Sequence, residues 1–323
     1  MRIAYVEHPH HQKTNSSEFF RREVEGLGYT LVRIVRDAFS LKIAREFDRL
    51  ILFQADNCIP IAVAADKLSL VIPMLDESLT RNSGYFRVGK KIQFLSFSPN
   101  LHKFLELSGA RSYFVQYWPE PKTNSFKQDF DVFFWERTPV HVSIQDVLRW
   151  FKNMNPTYTI RKHLDPGQIS LDPSYLFLND SIKILDNNWL KHDQYLAILE
   201  RASVFVAPRR WEGIGLSSLE AMSRGIPVVG LASPTLNEYI ENGVTGVLIK
   251  DKFSSLPDID FNILSENLVK VLPFKHELYK KQITAALSDF FLSEKSSSLQ
   301  KPAHAVIPNS MTLRQYLYLR HQI

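Results

Sequence analysis

The sequence predicts an α/β protein with two domains, each containing a doubly wound parallel sheet. Short runs rich in Val, Ile and Leu alternate with amphipathic helical segments, which is the order of successive βαβ units. Several of these runs, such as residues 68–75, are apolar throughout, as expected of parallel strands covered on both faces. The 323 residues correspond to about two domains. A polar segment with two prolines at 119–129 is predicted to be the linker between them.

The first domain is predicted at residues 1–125 and alternates strands with helices. Ser17 precedes an amphipathic segment that ends at Gly28, which indicates an N-capped helix with a glycine at its C-terminus. Ser98, followed by a proline and closed by Gly109, predicts a second such helix. The predicted strands are residues 2–6, 30–35, 49–54, 68–75, 91–96 and 113–118, and a further helix is predicted at 60–67.

The second domain is predicted at residues 130–290, with 291–323 as a C-terminal tail. Its segments again alternate between strands and helices, ending with helical segments and a polar loop. The predicted strands are 131–137, 157–162, 182–185, 204–207 and 226–230; the predicted helices are 144–154, 191–202, 216–224, 265–272, 276–292 and 311–322, and the loop is 293–310.

The composition is that of a folded, water-soluble protein, with 45% hydrophobic and 23% charged residues. Cys58 is the single cysteine, so neither an intrachain disulfide nor a cysteine-based metal site is expected. The N-terminal residues are too polar for a signal peptide, and no apolar run reaches the ~20 residues of a membrane span. The expected location is therefore cytoplasmic.

The net charge of +5 and the pI of about 9.1 fit an anionic nucleotide ligand, an anionic membrane surface or nucleic acid. No block of five Lys or Arg and no zinc-finger spacing occurs, so nucleic acid is not an expected partner. Basic residues of the first domain either form a face for peripheral contact with the inner side of a membrane or are an ordinary solvated surface. These residues are Arg81, Arg87, Lys90, Lys91 and Lys103.

A strand, a glycine loop and a helix N-terminus follow one another between residues 204 and 225. The first turn of a helix leaves N–H groups unpaired and carries a partial positive charge, so it stabilises a phosphate. Gly213 and Gly215 allow close approach of the backbone to such a ligand. Arg209 and Arg210 can add charge-assisted hydrogen bonds to a diphosphate. The pattern predicts a phosphate site.

Two carboxylates bracket the loop, Glu212 within it and Glu220 on the helix, eight positions apart (220 − 212 = 8). An ionised carboxylate accepts hydrogen bonds from two neighbouring hydroxyls, which suits a sugar or a ribose. The alternative interpretation is an exposed helix with two solvated glutamates.

This spacing, followed by EAMSRGIPVVG and NEYIENGVTGVLI, resembles the retaining glycosyltransferases of GT-B fold, and within them family 4 or group 1, over residues 182–250. The resemblance implies two Rossmann-like domains facing across a cleft, with the tail helix returning to the first domain. It implies a nucleotide-sugar as substrate and no cofactor. Glu212 would contact the transferred sugar and Glu220 the nucleotide ribose. The backbone of Gly213, Ile214, Gly215 and Leu216 would bind the diphosphate.

Three positions depart from the family pattern. The first loop, residues 7–17, carries three histidines and Ser16–Ser17 where relatives have a Gly-Gly pair. Arg137 matches a diphosphate-binding Arg, although the alternative is a surface salt bridge, and the Lys that usually follows is absent. Asp76 stands where many relatives have a His; it is either a base for the acceptor hydroxyl, if burial raises its pKa, or a turn cap.

The expected function is therefore transfer of a hexose, with retention, from a nucleotide-sugar to a glycan or lipid-linked glycan. By association with the family, we expect a role in cell-surface polysaccharide or lipopolysaccharide biosynthesis. No Asp-x-Asp or His-x-x-x-His pair lies near the site, so no metal is expected. The alternative from another class is a non-catalytic GT-B partner that binds a glycan or another transferase, which the three departures favour. The donor base, sugar, acceptor and linkage are left open by these residues.

Overall fold

The chain folds as two compact units in the computed structural model. The first unit contains Met1–Tyr117 and Glu277–Ile323, and the second contains Trp118–His276. Most of the predicted linker at 119–129 and of the predicted loop at 293–310 lies outside the described residues. The structure describes residues 1–122, 130–137, 140–154, 157–162, 182–185, 192–293 and 306–321, with the backbone alone at 136, 157–162, 182–185 and 321.

The first unit contains a six-stranded parallel sheet with the order β2-β1-β3-β4-β5-β6. Strands β1, β4 and β5 are buried at every position, which accounts for their largely apolar sequence. The strands are β1 (Ile3–Glu7), β2 (Leu31–Val35), β3 (Arg49–Phe53), β4 (Leu68–Ile72), β5 (Ile92–Ser96) and β6 (Ser112–Phe114).

Six helices connect these strands, and local sequence sets several of their ends. The Ser98 hydroxyl accepts a hydrogen bond from the Leu101 N–H (3.2 Å), as its predicted capping role requires. Gly28 and Gly109 have φ angles of +85° and +82°, which favour glycine after a helix C-terminus. The helices are α1 (Pro9–Thr14), α2 (Glu18–Gly26), α3 (Leu41–Arg45), α4 (Ile59–Ala64), α5 (Leu75–Ser78) and α6 (Pro99–Leu107).

The segment after β1 differs from its prediction. It was expected to be a loop, but it contains α1, because the His8 ring accepts a hydrogen bond from the His10 N–H (3.0 Å) and Pro9 suits a first helical turn. Ser17 is the residue before α2, but its hydroxyl does not cap the helix. It donates instead to the buried carboxylate of Glu7 (2.5 Å), so a tertiary contact displaces the predicted cap.

Strand β4 is shorter than predicted, and the difference concerns Asp76. The strand ends at Ile72 rather than at residue 75, and the chain then forms α5, a single helical turn. Pro73 cannot donate a backbone hydrogen bond to the sheet, which is a physical reason for the strand to end there. Asp76 therefore lies in a helical turn beyond the strand, rather than at the strand end.

The second unit contains another six-stranded parallel sheet, with the order β12-β11-β10-β7-β8-β9. Both sheets confirm the predicted α/β class. The strands are β7 (Asp131–Glu136), β8 (Thr157–Lys162), β9 (Ile182–Leu185), β10 (Val204–Val206), β11 (Val228–Leu231) and β12 (Gly246–Ile249); the helices are α7 (Ile144–Phe151), α8 (His192–Leu199), α9 (Leu216–Met222) and α10 (Leu236–Tyr239).

Two helices complete the chain. The sequence predicted two helices at 265–272 and 276–292, but the structure forms one, α11 (Phe261–Leu292), which continues through Pro273. Proline removes one helical hydrogen bond, and buried side chains on both sides of it, such as Leu272 and Tyr279, hold the helix by packing. The last helix is α12 (Leu313–His321). Within the described part of the chain, no helix combines the length and the apolar character that crossing a bilayer requires.

Candidate active site

The order of strands in the second unit identifies where a ligand would bind. From β7 the chain proceeds outward through β8 and β9, and then returns to the other side of β7 as β10. Ligands of open α/β sheets bind at such a switch point, outside the carboxyl ends of the strands. Arg137 directly follows β7, and the segment Ala207–Gly215 directly follows β10. The predicted Arg and glycine-loop residues are therefore brought to one edge of this sheet.

Gly215 shapes the end of the glycine loop. Its φ angle is +65°, in the left-handed region, and it is the residue before α9. Because no side chain caps this helix, the first N–H groups of α9 at Leu216 and beyond have no side-chain acceptor at the cap position. A Cβ at position 215 would meet nothing closer than 3.9 Å, so the backbone angle rather than space favours glycine here.

The loop backbone is fixed from the segment before α10. The Thr235 hydroxyl donates to the carbonyl oxygen of Glu212, and the Ser233 hydroxyl donates to the carbonyl oxygen of Arg210 (3.0 Å). Ile214 is buried, which anchors the middle of the loop. The two hydrogen bonds use main-chain oxygens, and the side chains of Glu212 and Arg210 are only partly buried. The arrangement is a rigid loop that presents a carboxylate and a guanidinium.

Arg137 and His141 bring further nitrogen groups to the same edge. The Arg137 guanidinium lies over the Trp135 ring, 5.0 Å from its centroid. The Val142 N–H donates to the Pro208 carbonyl oxygen (3.2 Å), which holds the chain at His141 against the start of the glycine loop. Burial lowers the pKa of His141, and the positive charges of Arg209 and Arg210 lower it further.

His141 was missed by the reasoning from sequence. Its Nδ1 atom is buried and has no hydrogen-bond partner among the described residues. The signal that could have found it is its place four residues after Arg137, in the segment where the family that the chain resembles has a Lys. Three Arg and one His therefore share the switch point, which makes it suited to a strongly anionic group.

Glu220 lies on α9 in a largely enclosed position, its side chain 17% exposed. Burial raises the pKa of this carboxyl to about 7, opposed by the charge of Arg224 and by a hydrogen bond with Tyr195. The His192 ring lies beside it, with Nε2 3.5 Å from Oε1. Arg224 also donates to the Glu220 carbonyl oxygen (3.0 Å), so both the backbone and the carboxyl at this position are fixed. A carboxyl with this pKa can donate or accept a hydrogen bond near neutral pH.

Asp76 lies in the first unit, whereas the other predicted site residues lie in the second. Its Oδ1 atom accepts a hydrogen bond from the Glu77 N–H (3.0 Å), the kind of local bond that the turn-cap interpretation requires. Burial raises the pKa of Glu77 to about 7, and the Asp76 charge adds to that shift. Glu77 is thus a carboxyl of this turn whose pKa is raised toward neutral pH.

Glu77 belongs to a group of side chains at the switch point of the first sheet, between β1 and β3. Gln54 follows β3 with a φ angle of +50°, unusual for a residue other than glycine. Its side chain interacts with both Glu77 and His11. His11 is buried, its Nδ1 atom is 2.7 Å from the Ser16 hydroxyl, and burial lowers its pKa to about 4. The neutral amide and imidazole make this edge chemically different from the arginine-rich edge of the second unit.

Among the residues that the structure describes, no group of three His, Cys, Asp or Glu side chains is placed to hold a metal ion.

Residues 175–256 match the family model for glycosyl transferases group 1. This segment of the chain is therefore similar to the group 1 glycosyl transferases. The lipopolysaccharide core mannosyltransferase LpsB of Rhizobium meliloti (strain 1021) is 48% identical over 48 residues, 14% of this chain and 14% of that protein. Glycogen synthase of Mycobacterium tuberculosis (strain H37Rv) is 43% identical over 58 residues, 18% of this chain and 14% of that protein. The similarity thus covers a small part of this chain and about one seventh of the length of each of these relatives.

Solved structures are similar over nearly the whole chain. HepE of Anabaena, in complex with UDP and glucose, has a TM-score of 0.54 at 13% identity and covers 90% of this chain and 95% of its own. The lipopolysaccharide outer core galactosyltransferase WaaB in its apo form has a TM-score of 0.54 at 12% identity, covering 91% of this chain and 100% of its own. At such identities the likeness concerns the fold, and it confirms the predicted GT-B fold.

Proposed function

We propose that this chain transfers a hexose from a nucleotide-sugar to a glycan or lipid-linked glycan, with retention of configuration. The observation that carries the proposal is the switch point of the second sheet, where Arg137, His141, Arg209 and Arg210 accompany a glycine loop and an uncapped helix N-terminus. Such a set of donors matches a diphosphate, the most highly charged part of a nucleotide-sugar.

The proposed roles of the two glutamates follow from their positions. Glu220 lies one turn into α9 and would accept hydrogen bonds from the ribose hydroxyls. Glu212 lies in the loop and would contact the transferred sugar, with its backbone held by Thr235. Charge that develops on the leaving diphosphate would be stabilised by the arginines and by the N–H groups of α9. We therefore propose a reaction that needs no divalent ion.

The first unit would hold the acceptor. At its switch point Gln54 interacts with both Glu77 and His11, and Asp76 lies beside Glu77. These carboxyls and neutral groups suit sugar hydroxyls. LpsB is named for lipopolysaccharide core biosynthesis, and we propose a role for this chain in a cell-surface polysaccharide of that kind.

Thermal unfolding with a panel of nucleotides and nucleotide-sugars tests the donor site. A nucleotide at about 100 times its dissociation constant should add about 2.7 kcal/mol of stability, which corresponds to a rise in Tm of about 5 °C for a chain of this size. Glu220→Ala should abolish the rise for the nucleotide that binds. Glu266→Ala, at an exposed position of α11 in the same unit, is the matched control and should retain it.

Transfer is then followed as nucleotide release from the sugar donor that binds, with and without EDTA. We expect release in both conditions. Absence of a thermal shift with every nucleotide would overturn the donor site. A shift without any nucleotide release or transfer would instead support the non-catalytic binding partner.

A further inference from the structure

The last helix presents an exposed surface that combines apolar and cationic side chains. On one side α12 packs onto the first unit through Leu313 and Leu317, which are buried. On the opposite side Tyr318 is 62% exposed and Leu319 is 68% exposed. We define the α12 surface as this exposed side together with Arg320, which is exposed in the last helical turn although it follows Leu313 and Leu317 at helical spacing. The α12 surface thus consists of Met311, Arg314, Tyr318, Leu319 and Arg320. Most of it lines an open groove whose walls are largely apolar.

The backbone under the α12 surface is firmly held. The Ser83 N–H donates to the Met311 carbonyl oxygen (2.9 Å), and the Arg314 N–H donates to the Leu79 carbonyl oxygen (3.0 Å). Just before this segment, the Ser83 hydroxyl donates to the Pro308 carbonyl oxygen (2.7 Å). These bonds hold the start of α12 on the first unit, and the buried Leu317 holds the helix one residue before Tyr318.

The charge on this surface is uncompensated. Residues 306–321 contain no Asp or Glu. In the described part of the chain Arg314 has no carboxylate partner, and Arg320 contacts only the Tyr316 ring and hydroxyl, with Nη1 3.0 Å from that oxygen. The α12 surface therefore offers two guanidinium groups beside exposed apolar side chains.

The basic residues that the sequence suggested for membrane contact are mostly engaged within the protein. Arg81 pairs with Asp56 (3.3 Å), Lys91 with Asp66 (2.5 Å) and Lys103 with Glu106 (3.5 Å), and Arg87 donates to the Ile307 carbonyl oxygen (2.7 Å). Paired charges attract a membrane less than unpaired ones do, so the structure favours the α12 surface over that face.

We propose that the α12 surface docks on an anionic lipid bilayer. Arg314 and Arg320 would contact the anionic headgroups, while Tyr318 and Leu319 would enter the boundary between headgroups and acyl chains. Helices with cationic and apolar side chains bind membranes in this way, and a tyrosine suits the boundary because its ring is apolar and its hydroxyl polar. A second copy of the chain fits less well, since a stable protein interface usually takes about 20–30 residues from each side.

Sedimentation of the full chain with vesicles tests this proposal independently of the transferase function. Vesicles of phosphatidylcholine alone are compared with vesicles that also contain phosphatidylglycerol. We expect binding to the anionic vesicles only, weakened by salt. Arg314→Gln with Arg320→Gln should lower the partition coefficient by about 25-fold, roughly fivefold for each charge. Tyr318→Ser with Leu319→Ser should also lower it.

Two control variants separate this surface from others. Phe274→Ser removes an apolar side chain of similar exposure (67%) from α11, and Lys90→Gln removes an exposed charge of the other basic face. Both should bind vesicles as the wild type does, and all variants should keep the wild-type melting temperature.

Three results would overturn the proposal. The first is equal binding to both vesicle types, and the second is retention of binding by both α12 double variants. The third is a concentration-dependent dimer, seen by sedimentation velocity, that the Tyr318→Ser, Leu319→Ser variant abolishes while its binding to vesicles stays unchanged. The last result would assign the surface to a second copy of the chain.

Discussion

The two sheets are built in the same manner, but their switch points differ in chemistry. In the second unit, Arg137, Arg209 and Arg210 surround a glycine loop, and the nearby His141 has its pKa lowered by burial and by two of these arginines. In the first unit, the corresponding edge carries Gln54 and the neutral imidazole of His11 together with carboxyls, and Arg36 is the arginine whose charge reaches both His11 and Glu77. Parallel topology therefore provides two binding edges, and the residues just after the strands decide what each edge can bind.

The two edges therefore suit ligand groups of different charge. A diphosphate needs several cations and unpaired N–H groups, which the second unit supplies. Sugar hydroxyls need acceptors and neutral donors, which the edge of the first unit supplies.

The largest expected effect is loss of nucleotide binding when the arginines of the loop are removed. Arg209→Ala with Arg210→Ala should weaken binding of the nucleotide by at least about 150-fold, since each charge-assisted hydrogen bond contributes about 1.5–3 kcal/mol. Isothermal titration calorimetry measures this. Arg201→Ala, an exposed arginine in the same unit, should leave the affinity unchanged, and so should Asp76→Asn in the first unit. An unchanged affinity in the double variant would remove the diphosphate site from this edge.

The next effect concerns the pH dependence of stability at Glu220. Its pKa is raised from 4.5 to about 7 by burial, so the folded protein keeps this proton to higher pH than the unfolded chain does. The stabilisation that follows is complete below the unfolded pKa and is lost as the pH rises through about 7. Glu220→Gln stays neutral, so its stability relative to the wild type should rise by about 2 kcal/mol from about pH 5 to about pH 8.

Urea unfolding at several pH values measures that change, and Glu77→Gln is its counterpart in the first unit. The pKa of Glu77 is also raised to about 7 by burial, but much of this residue is in contact with solvent. Because water screens this carboxyl, the stability that Glu77→Gln gains over the wild type as the pH rises should be clearly smaller than that of Glu220→Gln. Parallel pH profiles for Glu220→Gln and the wild type would show that Glu220 titrates normally.

These comparisons show which features the sequence could predict. The strands and the glycine loop were predictable because β-branched runs and glycines are local signals, and the φ angle of Gly215 agrees with its sequence position. Three features could not be predicted, because each depends on groups distant in sequence. They are the hydrogen bond of the Ser17 hydroxyl, the continuous helix α11 and the environment of His141. Ser17 bonds to Glu7, ten residues away, and His141 lies beside arginines almost seventy residues later.

A substitution at Gly215 tests whether its left-handed backbone angle is the reason for glycine at this position. Gly215→Ala should destabilise the protein by about 1–2 kcal/mol, because alanine is disfavoured in the left-handed region. Space is not the cause, since the nearest atom to the added Cβ would be 3.9 Å away. Gly213→Ala is the matched control in the same loop, because Gly213 is not among the glycines with a positive φ angle. Equal losses in the two variants would contradict a backbone origin.

The smallest expected effect distinguishes the histidines of the two edges. An anionic ligand at the second edge would favour protonated His141, whose pKa is lowered in the free protein by burial, Arg209 and Arg210. Binding should then take up a proton, and nucleotide affinity should fall by about fivefold as the pH rises through the bound-state pKa, a change of about 1 kcal/mol. His141→Lys keeps its charge and should flatten this profile.

His11→Gln removes the imidazole of the first edge, where burial lowers the pKa to about 4, and should leave the profile as it is in the wild type. The pH profile of the dissociation constant, measured by calorimetry, compares the variants. A wild-type profile that His141→Lys does not change would show that His141 stays neutral when the nucleotide binds. The positive charge at this edge would then come from the three arginines alone.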